Sequence, residues 1–178
     1  MKLNKKKISF LISGKGSNLL EILSKNIKSN NFKTYSIVSN NLISKEIKNF
    51  IKKNIFDIEI YENTSKLKKT YFKGVDLIFS LGYMKIIDYN LIKNFDIINL
   101  HPSLLPNYKG LMTQKRMLIN GESYFGFTIH KVSEQLDGGG IINQKSKKIN
   151  TIDEHNLLHH HKKLEHQYVF DELIKYLN

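Results

Sequence analysis

The sequence predicts an α/β fold, a mostly parallel sheet with helices on both faces, and two observations predict it. From Ile8 to Leu100, short apolar runs rich in isoleucine, valine and phenylalanine take turns with lysine-flanked amphipathic stretches. Parallel strands need crossover connections, so strand and helix in alternation imply a parallel sheet packed between helices. In addition, two of the runs are followed by polar tracts, at Ser13 and at Asn99. Open α/β sheets bind their ligands at such places, beyond the carboxyl ends of strands.

The first strand is Ile8–Ser13, closed by Gly14. A helix near Ser17–Lys28, a strand at Thr34–Ser39, a helix near Ser44–Lys53 and a strand at Asp57–Tyr61 follow. Then come a helix near Thr64–Tyr71, a strand at Val75–Leu81, a short helix near Tyr89–Lys93 and a strand at Asp96–Leu100, which Pro102 bounds. Beyond His101 the alternation stops. A loop leads to a helix near Met112–Asn120, two β-rich runs at Phe125–Val132 and Gly140–Ile149, and a closing helix from Ile152 to Tyr176. With no repeat or interdomain linker, the chain of 178 residues reads as one domain, residues 1–178. That length buries about 70% of the unfolded surface in a core.

Composition excludes several classes of function. There is no cysteine, hence no disulfide, thiolate metal site or thiol nucleophile. The net charge is +12, but Arg116 is the only arginine and the lysines are spread along the whole chain. A nucleic-acid footprint would cluster on one element, with arginine and stacking aromatics, so solvated surface lysine is the reading and no nucleic-acid partner is expected. The overall field favours small anionic substrates such as phosphates. The basic start Met1–Lys7 precedes an apolar run, Ile8–Ile12, that is too short for a signal peptide, and no stretch has transmembrane length. A soluble, cytoplasmic protein without a membrane partner is expected.

Three tracts carry chemistry. On the strand ending at Leu100, Asn99 and His101 lie two apart and project together, with Cα atoms roughly 6.5 Å apart. An amide donor beside a titratable imidazole suits a carbonyl becoming an oxyanion, although a polar strand end whose histidine caps a loop has the same pattern. The loop Ser13-Gly14-Lys15-Gly16-Ser17-Asn18-Leu19 offers a tight turn and helix-start amides that can bind an anion, with Ser17 able to cap the helix. It lacks a full dinucleotide fingerprint and is not a Walker loop, so it is either a structural turn or a seat for a terminal monophosphate. Leu136-Asp137-Gly138-Gly139-Gly140 is either ordinary turn chemistry or a carboxylate that raises the proton affinity of His101 and fixes its orientation.

Together these tracts resemble the folate-dependent phosphoribosylglycinamide formyltransferases of purine biosynthesis. The resemblance runs from about Ile8 to Ile174. It rests on Gly14-Lys15-Gly16-Ser17-Asn18-Leu19, Gly82-Tyr83-Met84-Lys85-Ile86-Ile87, Asn99-Leu100-His101-Pro102-Ser103-Leu104-Leu105-Pro106 and Leu136-Asp137-Gly138-Gly139. It implies a Rossmann-like, mostly parallel sheet with a late antiparallel strand. Departures are Lys15, a short Tyr61–Val75 segment without the arginine relatives place there, and Met112 and Gln114, where close relatives have histidines.

The chemistry implied is attack by the amine of glycinamide ribonucleotide on the formyl carbon of 10-formyltetrahydrofolate, through a tetrahedral oxyanion. By resemblance Asn99 donates to that oxygen. His101, protonated and paired with Asp137, stabilises the charge and donates a proton to the leaving folate nitrogen. Gly16, Ser17 and Asn18 cradle the substrate phosphate, and Lys162, Lys163, Leu164 and Glu165 reach the ribonucleotide, a stretch that would otherwise be a charged helix face. Met84, Lys85, Ile86 and Ile87, together with Asn99 and the loop Ser133, Glu134, Gln135, Leu136 and Asp137, line the folate pocket. The formyl folate is a co-substrate, the partners are small molecules, the protein is a monomer or homodimer, and no metal is implied. His155 and His159 lie one helical turn apart but no third ligand is evident at helical spacing. Methionyl-tRNA formyltransferase and formyltetrahydrofolate deformylase share the core but add a tRNA-holding or a regulatory domain. A phosphate- or folate-binding module without turnover is a further alternative, which Asn99, His101 and Asp137 oppose.

Overall fold

The computed structural model describes residues 5–54 and 57–178; part of the basic start read at Met1–Lys7, and Ile55 and Phe56, lie outside the described residues. The chain forms two compact units, one extending to Ile98 with Leu177, the other running from Asn99 to Tyr176 with Asn178.

In the first unit, β1 (Lys7–Ile12) pairs in parallel with β2 (Lys33–Ser39) on one side and β4 (Leu77–Ser80) on the other, and β3 (Glu59–Tyr61) pairs in parallel with β2. Ile8 to Ile12 are buried without alternation, the mark of a strand covered on both faces. Between β1 and β2, Ser9 donates its hydroxyl to Ser36 at 2.7 Å, because the Ser36 proton is given to the Tyr71 carbonyl at 2.9 Å. The helices α1 (Ser17–Ser29) and α2 (Lys45–Asn54) bury Leu19, Ile22 and Leu23, and Ile47 and Ile51, at helical spacing. Phe10 lies 6.1 Å from Phe32 and 6.4 Å from Phe79, and Phe72 meets Phe95 edge-on at 5.8 Å. After α3 (Tyr89–Asn94) the first residues of β5 (Ile97–His101) belong here, with the Ile78 amide donating to the Asp96 carbonyl at 2.9 Å.

The helix predicted near Thr64–Tyr71 is replaced by a single 3₁₀ turn at Lys69–Phe72. Thr64 donates both its amide and its hydroxyl to the Ser39 carbonyl, at 3.0 and 3.1 Å, which ties the segment to the end of β2. Between Thr64 and Tyr71 only Leu67 provides a buried apolar anchor, too little for an amphipathic stripe.

The second unit contains the end of β5, α4 (Thr113–Ile119), β6 (Tyr124–Lys131), β7 (Ile141–Lys148) and α5 (Glu154–Leu177). β6 and β7 are antiparallel, with Thr128 opposite Gln144, so the late antiparallel strand implied by resemblance is present. Gly126 is required by that pairing: a Cβ there would sit 2.1 Å from the Lys145 carbonyl oxygen. α5 begins two residues later than predicted because the Asp153 carboxylate caps it, accepting from the Asn156 amide at 2.7 Å. Its buried stripe includes Leu157, His161, Leu164, Val169, Phe170 and Leu173.

Candidate active site

β5 delivers Asn99 and His101 to the same side of the strand, as a period of two requires. The Asn99 amide nitrogen lies 3.2 Å from Nε2 of His130, and the His101 ring stands edge-on to the His130 ring at 6.3 Å. Asp137 engages both histidines, with Oδ2 3.4 Å from Nδ1 of His101 and Oδ1 3.6 Å from Nε2 of His130. The three predicted catalytic residues are therefore gathered within the second unit.

Backbone carbonyls define where the imidazole protons sit, because a carbonyl only accepts. His101 Nε2 donates to the Tyr108 carbonyl at 2.9 Å, which leaves Nδ1 facing Asp137. His130 Nδ1 donates to the Lys131 carbonyl at 2.7 Å, so in the neutral ring Nε2 accepts from Asn99 and turns the carboxamide. Asp137 is placed by its turn: its φ is +47°, and Gly110 donates its amide to Oδ2 at 2.8 Å. Gly139 must be glycine, since a Cβ would fall 1.9 Å from the Lys131 carbonyl oxygen. The loop after β5 is pinned in turn. Ser103 donates its hydroxyl to Asn107 at 2.7 Å, and Thr128 donates to the Ser103 carbonyl at 2.6 Å and accepts from the Leu105 amide at 3.0 Å.

Burial pushes the His101 imidazole below its ordinary 6.5, outweighing the upward pull of the Tyr108 carbonyl and of Asp137. The expected resting imidazolium is thus opposed by burial: Asp137 does raise the proton affinity, but the loss of solvent around a residue that is 4% exposed is larger. For Asp137 burial works upward, yet the two imidazoles beside it, His130 and His101, and the hydrogen bond from the Gly110 amide bring the carboxyl below 3.8. The resting pair is a neutral imidazole beside a carboxylate.

In the first unit, Gly16 is the N-cap of α1 at φ +71°, with no side chain to cap the helix. Ser17 is the first helical residue and not the cap expected of it, because the turn needs the left-handed conformation at the capping position, which glycine adopts without strain. No acidic residue occupies the first turn, so the helix start can receive an anion. Ser13, just before the loop, accepts from the Met84 amide at 2.8 Å and donates to Asn40, while Asn41 donates to the Ser13 carbonyl at 2.6 Å.

Residues 6–173 match the Formyl transferase family. The chain belongs to that family. It is 35% identical over 153 residues to the phosphoribosylglycinamide formyltransferase of Haemophilus influenzae, covering 78% of this chain and 71% of that one. A bifunctional polymyxin resistance protein ArnA from Wigglesworthia glossinidia brevipalpis is 36% identical over 121 residues, 67% of this chain but only 18% of the relative. The crystal structure of phosphoribosylglycinamide formyltransferase from Campylobacter jejuni superposes with a TM-score of 0.85 at 29% identity, covering 97% of this chain and 98% of that one. The Rossmann-like formyltransferase fold expected from the sequence is therefore the fold of this chain.

The remaining predicted site residues of this formyl transferase are distributed as follows. Met84 and Ile86 are exposed apolar side chains, Lys85 is exposed with its ammonium 3.4 Å from the Ser65 carbonyl, and Ile87 is buried. Ser133 to Asp137 form a turn in which Ser133 donates to the Gln135 carbonyl at 3.1 Å; Glu134, Gln135 and Leu136 are exposed. On α5, Lys162 and Lys163 face solvent and Glu165 is buried. Leu164 is 1% exposed and packs in the core, as its place one turn from His161 on the buried stripe dictates. Among the described residues no His, Asp and Glu side chains form a group of three that could hold a metal ion.

Sequence reasoning missed His130, Tyr108 and Gly110. His130 carried a signal: Gly126, Thr128 and His130 alternate on one face of β6, and the last is a polar residue at a buried position. Tyr108 and Gly110 act through backbone atoms, which leave no side-chain signature.

Proposed function

We propose that this chain transfers the formyl group of 10-formyltetrahydrofolate to the amine of 5-phosphoribosylglycinamide in de novo purine biosynthesis, as a single formyltransferase domain formed by both units. The observation that carries the reading is the set Asn99, His101 and Asp137, assembled in the second unit of a chain from this family. The match over residues 6–173 extends through both units, which supports a single functional domain.

The formyl folate is the co-substrate that supplies an electrophilic formyl carbon. As the amine nitrogen bonds to that carbon, charge develops on the formyl oxygen, and the Asn99 amide donates to it. Donors preorganised in this way are worth about 3–4 kcal/mol of barrier each. The amine must lose a proton. Nδ1 of neutral His101 is the nitrogen without a carbonyl partner, so it accepts the proton, and Asp137 balances the imidazolium formed. The same proton passes to the folate nitrogen as its bond to the formyl carbon breaks, restoring the neutral imidazole.

Gly16, Ser17 and Asn18 hold the substrate phosphate at the start of α1, with Lys162, Lys163 and Glu165 contributing to the ribonucleotide. The exposed apolar side chains Met84 and Ile86 suit an aromatic co-substrate such as a pteridine, since large apolar groups in water favour cover. The protein works in the cytoplasm as a monomer or homodimer. No helix among the described residues is long and apolar enough to cross a membrane. Mixing the purified chain with both substrates and following formylated ribonucleotide tests the reading. Formyl transfer to water alone, or binding of either ligand with no transfer, overturns it.

A further inference from the structure

Two backbone groups hold the His101–Asp137 pair from opposite ends. The Tyr108 carbonyl takes the Nε2 hydrogen of His101 at 2.9 Å, and the Gly110 amide reaches Asp137 Oδ2 at 2.8 Å. Both belong to one short loop, which has an unusual backbone: Tyr108, Gly110 and Met112 all have positive φ, at 56°, 81° and 56°. A tyrosine and a methionine keep such a conformation only where their surroundings impose it.

Arg116, on α4, is the side chain that spans this loop. Its Cζ lies 5.3 Å over the Tyr108 ring, and its Nη1 donates to the Lys109 carbonyl at 2.7 Å and to the Leu111 carbonyl at 3.4 Å. From the other side, the Tyr108 hydroxyl donates to Glu122 at 2.6 Å and accepts from the Asn120 amide at 3.0 Å. The residue type matters. This chain uses lysine for every other basic position, yet the compact head of an ammonium cannot hold the two carbonyls through one nitrogen while the rest of a planar group stays over the Tyr108 ring.

We infer that Arg116 is a positioning residue for the reaction, holding the Tyr108–Leu111 loop so that the Tyr108 carbonyl and the Gly110 amide keep His101 and Asp137 in register. The inference rests on the reading that His101 and Asp137 carry the chemistry. Arg116 does not touch the reacting atoms; it acts through the loop backbone.

The test compares the full chain with Arg116→Lys, Arg116→Ala and a control, Lys115→Ala, an exposed neighbour on the same helix. Three quantities are read: kcat and KM for formyl transfer, the melting temperature, and the protonation pattern of the His101 ring nitrogens by nitrogen-15 NMR. Both Arg116 variants are expected to lose about tenfold in kcat with KM changed by less than about twofold. Both should also lose the pure Nε2–H pattern of His101, while the control matches the parent in all three. A Lys variant with parental kcat and an unchanged His101 pattern overturns the inference, as does a loss of kcat without any change at His101. If the parent chain shows no formyl transfer, the proposed function fails, but the His101 pattern in the two Arg116 variants still decides whether Arg116 holds the pair.

Discussion

Asp137 Oδ2 stands 3.4 Å from Nδ1 of His101 while it receives the Gly110 amide at 2.8 Å, so one carboxylate oxygen joins the titrating ring to a fixed backbone donor. That arrangement stabilises the charged imidazole formed during the reaction more than the neutral ring that precedes it. Replacing Asp137 with asparagine keeps the size and removes the charge. The expected result is a loss of about 10²–10³-fold in kcat with little change in KM, measured by steady-state kinetics.

Asn99 presents its amide beside His130, which orients the carboxamide through Nε2. Asn99→Ala is therefore expected to cost about 10²–10³-fold in kcat. His130→Ala should show a smaller loss in the same parameter, because the amide is kept but no longer turned. Equal losses in KM and none in kcat for Asn99→Ala would mean that the residue only binds ground-state substrate.

Stability should depend on pH through a second buried histidine. His161 is 2% exposed, donates Nε2–H to the Gly126 carbonyl at 2.8 Å and accepts from Gln114 at 3.1 Å. Burial above all lowers its pKa from 6.5 to about 4. Between those values the unfolded chain binds a proton here that the folded chain does not. Stability is complete above 6.5 and is lost as pH falls toward 4, by roughly 3 kcal/mol. His101, also held below 6.5, contributes with the same sign, while Asp137 adds a loss only below 3.8. Urea unfolding at about pH 7.5 and 4.5 measures the difference, which His161→Gln should reduce.

The turn that carries Asp137 has no room at Gly139, where a Cβ would meet the Lys131 carbonyl oxygen at 1.9 Å. Gly139→Ala is expected to destabilise the fold by about 1–3 kcal/mol and to lower kcat as the turn shifts, both read on the same preparation.

On α5 the sequence pattern groups Lys162, Lys163, Leu164 and Glu165, but the structure divides them. Leu164→Ala should cost about 2–5 kcal/mol of stability by leaving a core cavity. Lys162→Ala and Lys163→Ala should stay within about 0.5 kcal/mol and change only KM for the phosphorylated substrate. Chemical denaturation together with KM separates these roles.

These residues also explain how far the sequence could be read. The parallel strands of the first unit were legible because β1 gathers Ile8, Phe10, Leu11 and Ile12 in one short run, and the Asn99–His101 pair because a strand's period of two places both on one face. Asp137 was legible from its glycines. The segment from Thr64 to Tyr71 misled because two hydrogen bonds to one distant carbonyl, at Ser39, override local helix tendency. Ser17 misled because the capping position went to a glycine at positive φ. The protonation of His101 was not legible at all, since it depends on a balance between burial and two neighbours that only coordinates supply. The same holds for Tyr108 and Gly110, whose contributions are a carbonyl and an amide common to every residue.

The most direct test of the account is formyl transfer by the purified chain, followed as formation of formylglycinamide ribonucleotide from 10-formyltetrahydrofolate, in the parent and in His101→Ala. The account predicts product from the parent and a loss of about 10³-fold or more in the variant, with substrate binding retained. Binding of both substrates by the parent without formylated product, or equal turnover in His101→Ala, would contradict it.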